Sequence, residues 1–227
     1  MVQESFDCYL LDIEGTICPI SFVKETLFPF FLQNLSKIIE HPTDDQLTIL
    51  SKFNINDSTE LYNHINNLVL NDIKDPILKQ LQGHVWQEGY ENGLIKAPIY
   101  QDSIEFIKDN GNRIYIYSSG SVRAQKLLFE FVACNDGKET IDLRPSILDY
   151  FDINTSGVKT ESSSYDKIAK TIEHSEHRER ILFLSDNPKE LEAASSAGLS
   201  TRLVIRPGNA PVEDDTKYTS IRSLSEL

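Results

Sequence analysis

The sequence predicts an α/β protein in which a doubly wound parallel sheet forms the core and a helical segment is inserted after the first strand. Apolar, β-prone runs alternate with helical stretches from residue 102 onward, and this alternation is typical of parallel pairing. Three of the runs, at 9–11, 114–117 and 181–184, have no polar face, as expected for strands that helices cover on both sides. Residues 21–94 show helical periodicity and few strand patterns.

The elements follow in chain order. The apolar stretch 6–11 predicts a buried strand that runs into a loop at 12–16. Within the helical segment, residues 42–46 (PTDDQ) form a capping box ahead of an apolar run. The later elements are predicted as helix 103–110, strand 113–117, helix 122–133, helix 163–173, strand 180–184, helix 189–197 and strand 201–205. We expect residues 1–20 and 95–227 to form a catalytic core, and residues 21–94 to form a helical cap.

Composition and charge narrow the class of protein. With 227 residues, 40% hydrophobic and 25% charged, the chain has the composition of a folded domain with a small appendage. Its formal net charge of −13 argues against nucleic acid and anionic membrane surfaces as partners and favours a small molecule. The three cysteines fit neither a disulfide framework nor a zinc site. We find neither a membrane span nor a signal peptide, and therefore expect a location in the cytoplasm, with a size also compatible with the nucleus. We also expect a monomer.

Two acidic residues follow the first predicted strand. Asp12 and Glu14 are two positions apart, and Gly15 next to them allows a tight loop that turns both carboxylates toward one point. An aspartate can attack phosphorus to form an acyl phosphate, while a second carboxylic acid protonates the leaving group and then activates water. An isolated Asp-x-Glu pattern is more often a turn cap with an exposed acid, so this interpretation needs support from other strand ends.

The other strand ends carry compatible residues. Ser118 and Ser119 precede a predicted helix, whose N-terminus suits a phosphoryl oxygen, although serines in this position are often only helix caps. Lys159 lies in a loop ahead of helix 163–173 and could hold a phosphate among carboxylates. Asp186 leaves the apolar strand 181–184 and, together with Asp12, could bind Mg²⁺ through hard oxygen ligands.

Taken together and in this order, these residues resemble those of the haloacid dehalogenase superfamily of phosphohydrolases. The resemblance covers the whole chain and implies a haloacid-dehalogenase-like core, with residues 21–94 as the superfamily's helical cap. It implies that Asp12 is the nucleophile and Glu14 the general acid/base. Ser118, Ser119 and Lys159 would bind the phosphoryl group, and Asp12, Glu14 and Asp186 would form the Mg²⁺ site.

A closer resemblance is to the enolase-phosphatases, or acireductone synthases, of methionine salvage. It rests on the stretches 12–16 (DIEGT), 22–29 (FVKETLFP), 81–93 (LQGHVWQEGYENG), 116–122 (IYSSGSV) and 204–210 (VIRPGNA). The sequence departs from the superfamily pattern at Asn187, where a second acid often follows the metal-binding aspartate.

This resemblance implies a specific reaction in methionine biosynthesis. The substrate would be 2,3-diketo-5-methylthiopentyl-1-phosphate, which is enolised and then dephosphorylated to 1,2-dihydroxy-3-keto-5-methylthiopentene. The base for enolisation stays open among Glu14, Glu88 and Lys96. Whether Glu14 meets the metal through its side chain or its backbone is also open, as is the choice between Mg²⁺ and Mn²⁺. The cap would hold the methylthio tail, with Phe22, Trp86 and Tyr90 as candidates because thioethers pack well on aromatic edges.

Two other functions remain open at this point. One is a generic Mg²⁺-dependent sugar-phosphate phosphatase or phosphomutase of the same superfamily, which would release phosphate or move it without forming an enediol. The other is a phospho-acceptor domain that keeps a stable phosphoaspartate. The helical insertion and Glu14 argue against the acceptor domain, because neither a cap nor an acid that accelerates hydrolysis serves a lasting signal.

Overall fold

The computed structural model describes residues 5–213 and 215–227, and the chain divides into two compact units. One unit contains Met1–Ser21 and Ala97–Leu227, and the other contains Phe22–Lys96. Sequence analysis placed the boundaries after residues 20 and 94. That the second unit acts as a cap remains a prediction.

The first unit is built around a parallel sheet. Its strands are β1 Cys8–Leu11, β2 Ile114–Tyr117, β5 Asp149–Phe151, β6 Ile181–Ser185, β7 Ser200–Val204 and β8 Ser220–Ile221, and a separate pair is formed by β3 Val132–Cys134 and β4 Glu139–Ile141. Its helices are α5 Gln101–Asp109, α6 Val122–Glu130, α7 Ser162–Thr171 and α8 Pro188–Ser196. The second unit contains α1 Phe28–Glu40, α2 Asp44–Leu50, α3 Ser58–Leu70 and α4 Pro76–Glu91.

The strand order of the six-stranded sheet is β5-β2-β1-β6-β7-β8, with every neighbouring pair parallel. The three strands without a polar face, β2, β1 and β6, are adjacent, and this confirms the predicted doubly wound α/β core. Leu11 pairs with Ile116 on one side and with Leu184 on the other, so the three strands end close together. Because ligands bind beyond the carboxyl ends of such strands, this edge is where a site is expected.

One predicted helix was too long. We expected a helix over 122–133, but α6 ends at Glu130 and Val132–Cys134 pairs with β4 in an antiparallel hairpin. The turn of this hairpin passes through Asn135, Asp136 and Gly137, all with positive φ, which are residue types that tolerate that conformation. The short strand β5 was also not predicted, because three residues carry too little periodicity to identify a strand.

The helical unit forms its own core. The predicted capping box is confirmed, since Gln46 N donates to Thr43 Oγ1 over 3.3 Å and Thr43 N donates to Gln46 Oε1 over 3.0 Å. Residues from all four helices, including Phe31, Ile49, Ile65 and Leu81, are buried in one apolar cluster. Among the described residues, no helix combines the length and apolar composition that crossing a membrane requires.

Replacing Leu10 should destabilise the sheet. Leu10 lies in the central strand β1 with no exposed surface, so Leu10→Ala should lower the free energy of unfolding by about 2–5 kcal/mol. The matched control is Leu148→Ala in the same unit, where the side chain is 51% exposed and the change should stay within about 0.5 kcal/mol. Urea unfolding followed by circular dichroism measures both, and equal midpoints would contradict this description of the core.

Candidate active site

The structure brings the predicted site residues to one cavity of about 620 Å³ at the carboxyl ends of β1, β2 and β6. Its lining includes all six of them: Asp12, Glu14, Ser118, Ser119, Lys159 and Asp186. The lining also includes two further charged residues, Glu190 and Lys217. It includes an apolar group as well, among them Ile20, Pro211, Val212 and Tyr218. One part of the cavity is therefore densely charged, while other parts are apolar.

Asp12 stands at the point where β1 leaves the sheet. Its backbone N–H still donates to Leu184 O over 3.0 Å, which fixes the start of the loop against β6. The loop then closes tightly, because the N–H groups of Thr16, Ile17 and Cys18 all donate to Ile13 O. Gly15, with φ of +75°, supplies the left-handed conformation that this closure requires. Asp12 is consequently buried, and Glu14 is half-buried beside it.

Lys159 joins two carboxylates in the interior. Its Nζ lies 2.5 Å from Asp12 Oδ1 and 2.7 Å from Glu190 Oε2, and only 6% of the residue is exposed. Burial alone would lower the pKa of Lys159, but the charges of Asp12 and Glu190 outweigh burial and raise this pKa above its ordinary value. The lysine is thus a permanent ammonium at neutral pH, and it holds Asp12 Oδ1 in place.

Glu190 and Ser185 are site residues that sequence reasoning missed. Ser185, the last residue of β6, has its Oγ 2.9 Å from Glu190 Oε2 and 3.3 Å from Asp12 Oδ2. Burial and the charge of Asp12 raise the pKa of Glu190, although Lys159 opposes the shift. Glu190 lies in the first turn of α8, four residues after Asp186. An acid in the first turn of a helix that follows a site strand is the pattern that could have revealed it.

The departure noted at Asn187 therefore has a structural explanation. Asn187 is the N-cap of α8, and its Oδ1 accepts a hydrogen bond from Lys189 N over 3.1 Å. The next acid along the chain near Asp186 is Glu190, one helical turn later, and its carboxylate pairs with Lys159.

Asp186 lies against the loop that carries Asp12 and Glu14. A Cβ at Gly15 would overlap the Asp186 carboxylate, lying 2.6 Å from its Cγ, so a larger residue at this position would displace the carboxylate. Burial, followed by the charges of Asp12 and Glu190, raises the pKa of Asp186 from 3.8 to about 7. Three carboxylates therefore share this region with one lysine, and the negative charge is incompletely balanced.

Ser118 and Ser119 follow β2. Ser118 is buried, and its Oγ accepts a hydrogen bond from Gly120 N over 3.2 Å, which leaves the hydroxyl proton for an oxygen of a ligand. Ser119 is exposed at the cavity. Ser121 begins α6 as its N-cap, with its side chain accepting from Ala124 N. The two serines thus reach the cavity from a loop that is anchored at both ends.

The donor set fits a hard divalent cation such as Mg²⁺. Asp12 and Asp186 offer carboxylate oxygens. Burial first, and then the charges of Asp12 and Glu190, raise the pKa of Asp186, and a bound cation would offset this excess of negative charge. Within residues 5–213 and 215–227, no group of three or more His, Cys, Asp or Glu side chains is arranged as a metal cluster. A cation here would take few side-chain ligands and complete its shell with backbone oxygen, water or phosphate.

The fold matches those of known hydrolases. A HAD-hydrolase, YfnB of Bacillus subtilis bound to magnesium, superimposes with a TM-score of 0.60 at 17% identity, over 99% of this chain and 97% of that one. An L-2-haloacid dehalogenase from Xanthobacter autotrophicus gives 0.55 at 14% identity, over 98% and 96%. The parallel sheet, with its acidic loop after β1, therefore has the fold of the haloacid dehalogenase hydrolases.

Closer relatives identify the family. Enolase-phosphatase E1 of Saccharomyces cerevisiae is 52% identical over 228 residues, covering 99% of both chains, and that of Zygosaccharomyces rouxii is 53% identical, covering 98% of this chain and all of the relative. The crystal structure of the UTR4 protein of S. cerevisiae superimposes with a TM-score of 0.91 at 52% identity, over 98% of this chain and all of that one. No family model matches the chain. This chain belongs to the enolase-phosphatase E1 family.

Removing the Asp186 carboxylate should stabilise the metal-free protein. Because its pKa is about 7 in the folded state and 3.8 ordinarily, the unfolded state loses this proton first as pH rises. The stability advantage of Asp186→Asn over wild type should grow between about pH 4 and pH 7, level off above that, and reach at least about 1 kcal/mol.

Denaturant unfolding in EDTA across this pH range measures the effect. The matched control is Asp109→Asn, which removes an exposed carboxylate from the same unit. A stability difference for Asp186→Asn that stays flat with pH, or that has the opposite sign, would contradict the burial of this charge.

Proposed function

We propose that this protein is a bifunctional enolase-phosphatase of methionine salvage. It would convert 2,3-diketo-5-methylthiopentyl-1-phosphate to 1,2-dihydroxy-3-keto-5-methylthiopentene and phosphate. The observation that carries the proposal is the buried Lys159 ammonium between Asp12 and Glu190, at a cavity that Glu14 and Ser118 also line. Membership of the enolase-phosphatase E1 family supports the choice of substrate.

Phosphoryl transfer begins with Asp12. Its Oδ1 is held by Lys159 Nζ and by Ile13 N, the latter at 2.8 Å, so the carboxylate cannot rotate freely. Among the described residues, its Oδ2 has the longer contact of 3.3 Å with Ser185 Oγ, and this oxygen is the one that we assign to the attack. The Oδ2–P bond forms as the bond between phosphorus and the enol oxygen breaks, which yields an aspartyl phosphate. Ser118, Ser119 and Lys159 bind the phosphoryl oxygens during the transfer.

Glu14 moves the proton in both halves of the reaction. It protonates the departing enol oxygen and, once deprotonated, accepts a proton from the water that attacks phosphorus. The attack of water breaks the Oδ2–P bond, releases phosphate and regenerates the Asp12 carboxylate. The half-buried position of Glu14 at the cavity suits a group that must exchange protons with substrate and water.

Mg²⁺ is the proposed cofactor, held by Asp12 and Asp186, with Glu14 contributing through its side chain or backbone. When bound, the ion would neutralise charge on the phosphoryl group and polarise a carbonyl of the substrate for enolisation. Of the three candidate bases for enolisation, Glu14 lines the cavity of the first unit, whereas Glu88 and Lys96 belong to the second unit.

The remaining parts of the proposal concern the substrate tail and the cellular setting. In the helical unit, Trp86 Nε1 donates to Leu27 O over 3.0 Å, while Phe22 and Tyr90 are buried. These aromatic residues stay predicted contacts of the methylthio tail. The substrate is a small phosphorylated molecule. A monomeric state, a cytoplasmic location and the absence of nucleic-acid and membrane partners likewise stay predictions.

The deciding experiment is incubation of the purified protein with the diketone phosphate and Mg²⁺. We expect the absorbance of an enediol to appear before or together with inorganic phosphate, because enolisation precedes hydrolysis. Phosphate release without an enediol would reject enolase-phosphatase activity and favour a generic phosphatase. If the protein hydrolyses sugar phosphates rapidly but does not convert the diketone phosphate, enolase-phosphatase activity would likewise be rejected in favour of a generic phosphatase.

Asp12→Asn should abolish phosphate release while leaving the fold intact. The amide cannot attack phosphorus, so we expect a loss of at least about 10³-fold in kcat. Circular dichroism and the melting temperature check that the variant folds, since Asp12 is buried next to Lys159. Turnover within tenfold of wild type would remove Asp12 as the nucleophile.

Asp186→Asn should weaken Mg²⁺ binding. The loss of one anionic ligand should raise the Mg²⁺ concentration that gives half-maximal activity by about 10-fold or more. Calorimetric titration of the substrate-free protein with Mg²⁺ provides a second readout that does not depend on turnover. An unchanged Mg²⁺ affinity in calorimetry would contradict the assignment of Asp186 as a ligand.

A further inference from the structure

The backbone that carries Lys159 is held by three side-chain hydroxyls. Tyr117 Oη donates to Gly157 O over 2.8 Å, Ser164 Oγ donates to Val158 O over 2.8 Å, and Tyr165 Oη donates to Lys159 O over 2.7 Å. Three consecutive loop carbonyls are thus bound by three different side chains. Loop carbonyls more commonly meet backbone donors or water. We call these three hydroxyl-bearing residues the lysine clamp.

The residues of the lysine clamp belong to one strand and one helix. Tyr117 is the last residue of β2, while Ser164 and Tyr165 lie in the first turn of α7. Both tyrosines have no exposed surface, and their rings pack edge to face with centroids 5.5 Å apart. Burial is the main cause that raises the pKa of each tyrosine, so both hydroxyls remain protonated donors at neutral pH. The donors therefore have fixed positions and a fixed protonation state.

Gly157 lets the loop approach the clamp. Its φ is +115°, and a Cβ added there would lie 2.6 Å from Ser164 Oγ. The chain comes close enough to α7 for the hydroxyls to reach the carbonyls only because no side chain intervenes. The conformation of the glycine and the clamp hydrogen bonds thus depend on each other.

The clamp affects the site because the ion pairs of Lys159 with Asp12 and Glu190 require its backbone to stay in place. Its Nζ lies 2.5 Å from Asp12 Oδ1 and 2.7 Å from Glu190 Oε2, so one ammonium contacts two carboxylates at once. A shift of the loop by about 1 Å would lengthen at least one of these contacts and release the orientation of the nucleophile. Tyr117 also precedes Ser118, so the end of β2 places a phosphoryl-binding serine and the lysine loop together.

We propose that Tyr117, Ser164 and Tyr165 are positioning residues that act on phosphoryl transfer through Lys159, by fixing the three carbonyls of residues 157–159. The proposal deepens the proposed function and rests on it only in assigning Asp12 and Lys159 to a phosphoryl group. It does not depend on the identity of the rest of the substrate.

The test compares isosteric hydroxyl deletions. Tyr165→Phe and Tyr117→Phe each remove one donor and keep the ring, whereas Tyr150→Phe is the matched control. Tyr150 lies in β5 of the same sheet, and its buried Oη has no hydrogen-bond partner among the described residues. We expect kcat for phosphate release to fall by about tenfold in each clamp variant, with KM changed less than about twofold, and no such change in the control.

Orthovanadate affinity gives a readout that is independent of the organic part of the substrate. Calorimetric titration in the presence of Mg²⁺ should show weaker binding of this phosphoryl mimic in Tyr165→Phe than in Tyr150→Phe. Melting temperatures of all variants separate this effect from a general loss of stability. Equal kcat and equal vanadate affinity in the clamp and control variants would overturn the proposal.

A double-mutant cycle tests whether the clamp acts through the lysine. In a Lys159→Met background, Tyr165→Phe should change vanadate affinity by less than about twofold, because the group that it positions is gone. Lys159→Gln, which also removes the ammonium but keeps a polar side chain, provides a second background if the methionine variant does not fold. Full additivity of the two losses would overturn the proposal, since it would mean that Tyr165 acts by another route.

Wild-type controls separate failure of this proposal from failure of the proposed function. If wild type hydrolyses a simple aryl phosphate but not the diketone phosphate, the proposed substrate is wrong, and the clamp comparison proceeds with the aryl phosphate. If wild type converts the diketone phosphate but the clamp variants match Tyr150→Phe, the clamp proposal alone fails.

Discussion

The buried ammonium of Lys159 is the charge on which the rest of the site depends. It lies between Asp12 Oδ1 and Glu190 Oε2, while Ser185 Oγ approaches the same two carboxylates from the end of β6. Without this cation, two carboxylates would face each other in the interior without compensation, which is strongly unfavourable.

The parallel sheet makes this arrangement possible. Asp12 and Ser185 come from the adjacent strands β1 and β6, whose ends are brought level by the pairing of Leu11 with Leu184. Glu190 enters from the first turn of α8, and Lys159 comes from the loop before α7. Strand register therefore positions Asp12 and Ser185, whereas hydrogen bonds from side chains position the backbone of Lys159. The two parts of the site depend on different kinds of interaction, and this is why loop residues such as Tyr165 become relevant to chemistry at Asp12.

Sequence reasoning identified the strand ends because apolar strands without a polar face are visible in the sequence, and because a parallel sheet brings such ends together. Ser118 and Asp186 were found in this way, whereas Lys159 was found in a loop ahead of a predicted helix, and the resemblance supplied the roles of all three. Glu190 was missed because it lies inside a helix, where an acid in the first turn has an ordinary structural reason to be present.

The end of α6 was misplaced because Phe131 and Val132 continue an apolar pattern that fits a helix or a strand equally well. The lysine clamp could not be predicted from the sequence, because its hydrogen bonds join residues up to 40 positions apart.

The segment 204–210, which the resemblance singled out without a role, has a structural one. The carbonyls of Gly15 and Thr16 lie in the tight loop after β1, beyond the last residue of that strand that pairs in the sheet. Asn209 Nδ2 donates to Gly15 O and Arg206 Nε donates to Thr16 O, each over 2.9 Å. Arg206 is itself buried, and its Nη2 donates to Asp102 Oδ2 over 2.8 Å, which links this loop to α5. Side chains that follow β7 thus donate the hydrogen bonds that these carbonyls would accept from a neighbouring strand in a sheet. The clamp hydroxyls do the same at residues 157–159. The loop that carries Asp12 and Glu14 and the loop that carries Lys159 are therefore both held in part by side-chain hydrogen bonds to their carbonyls.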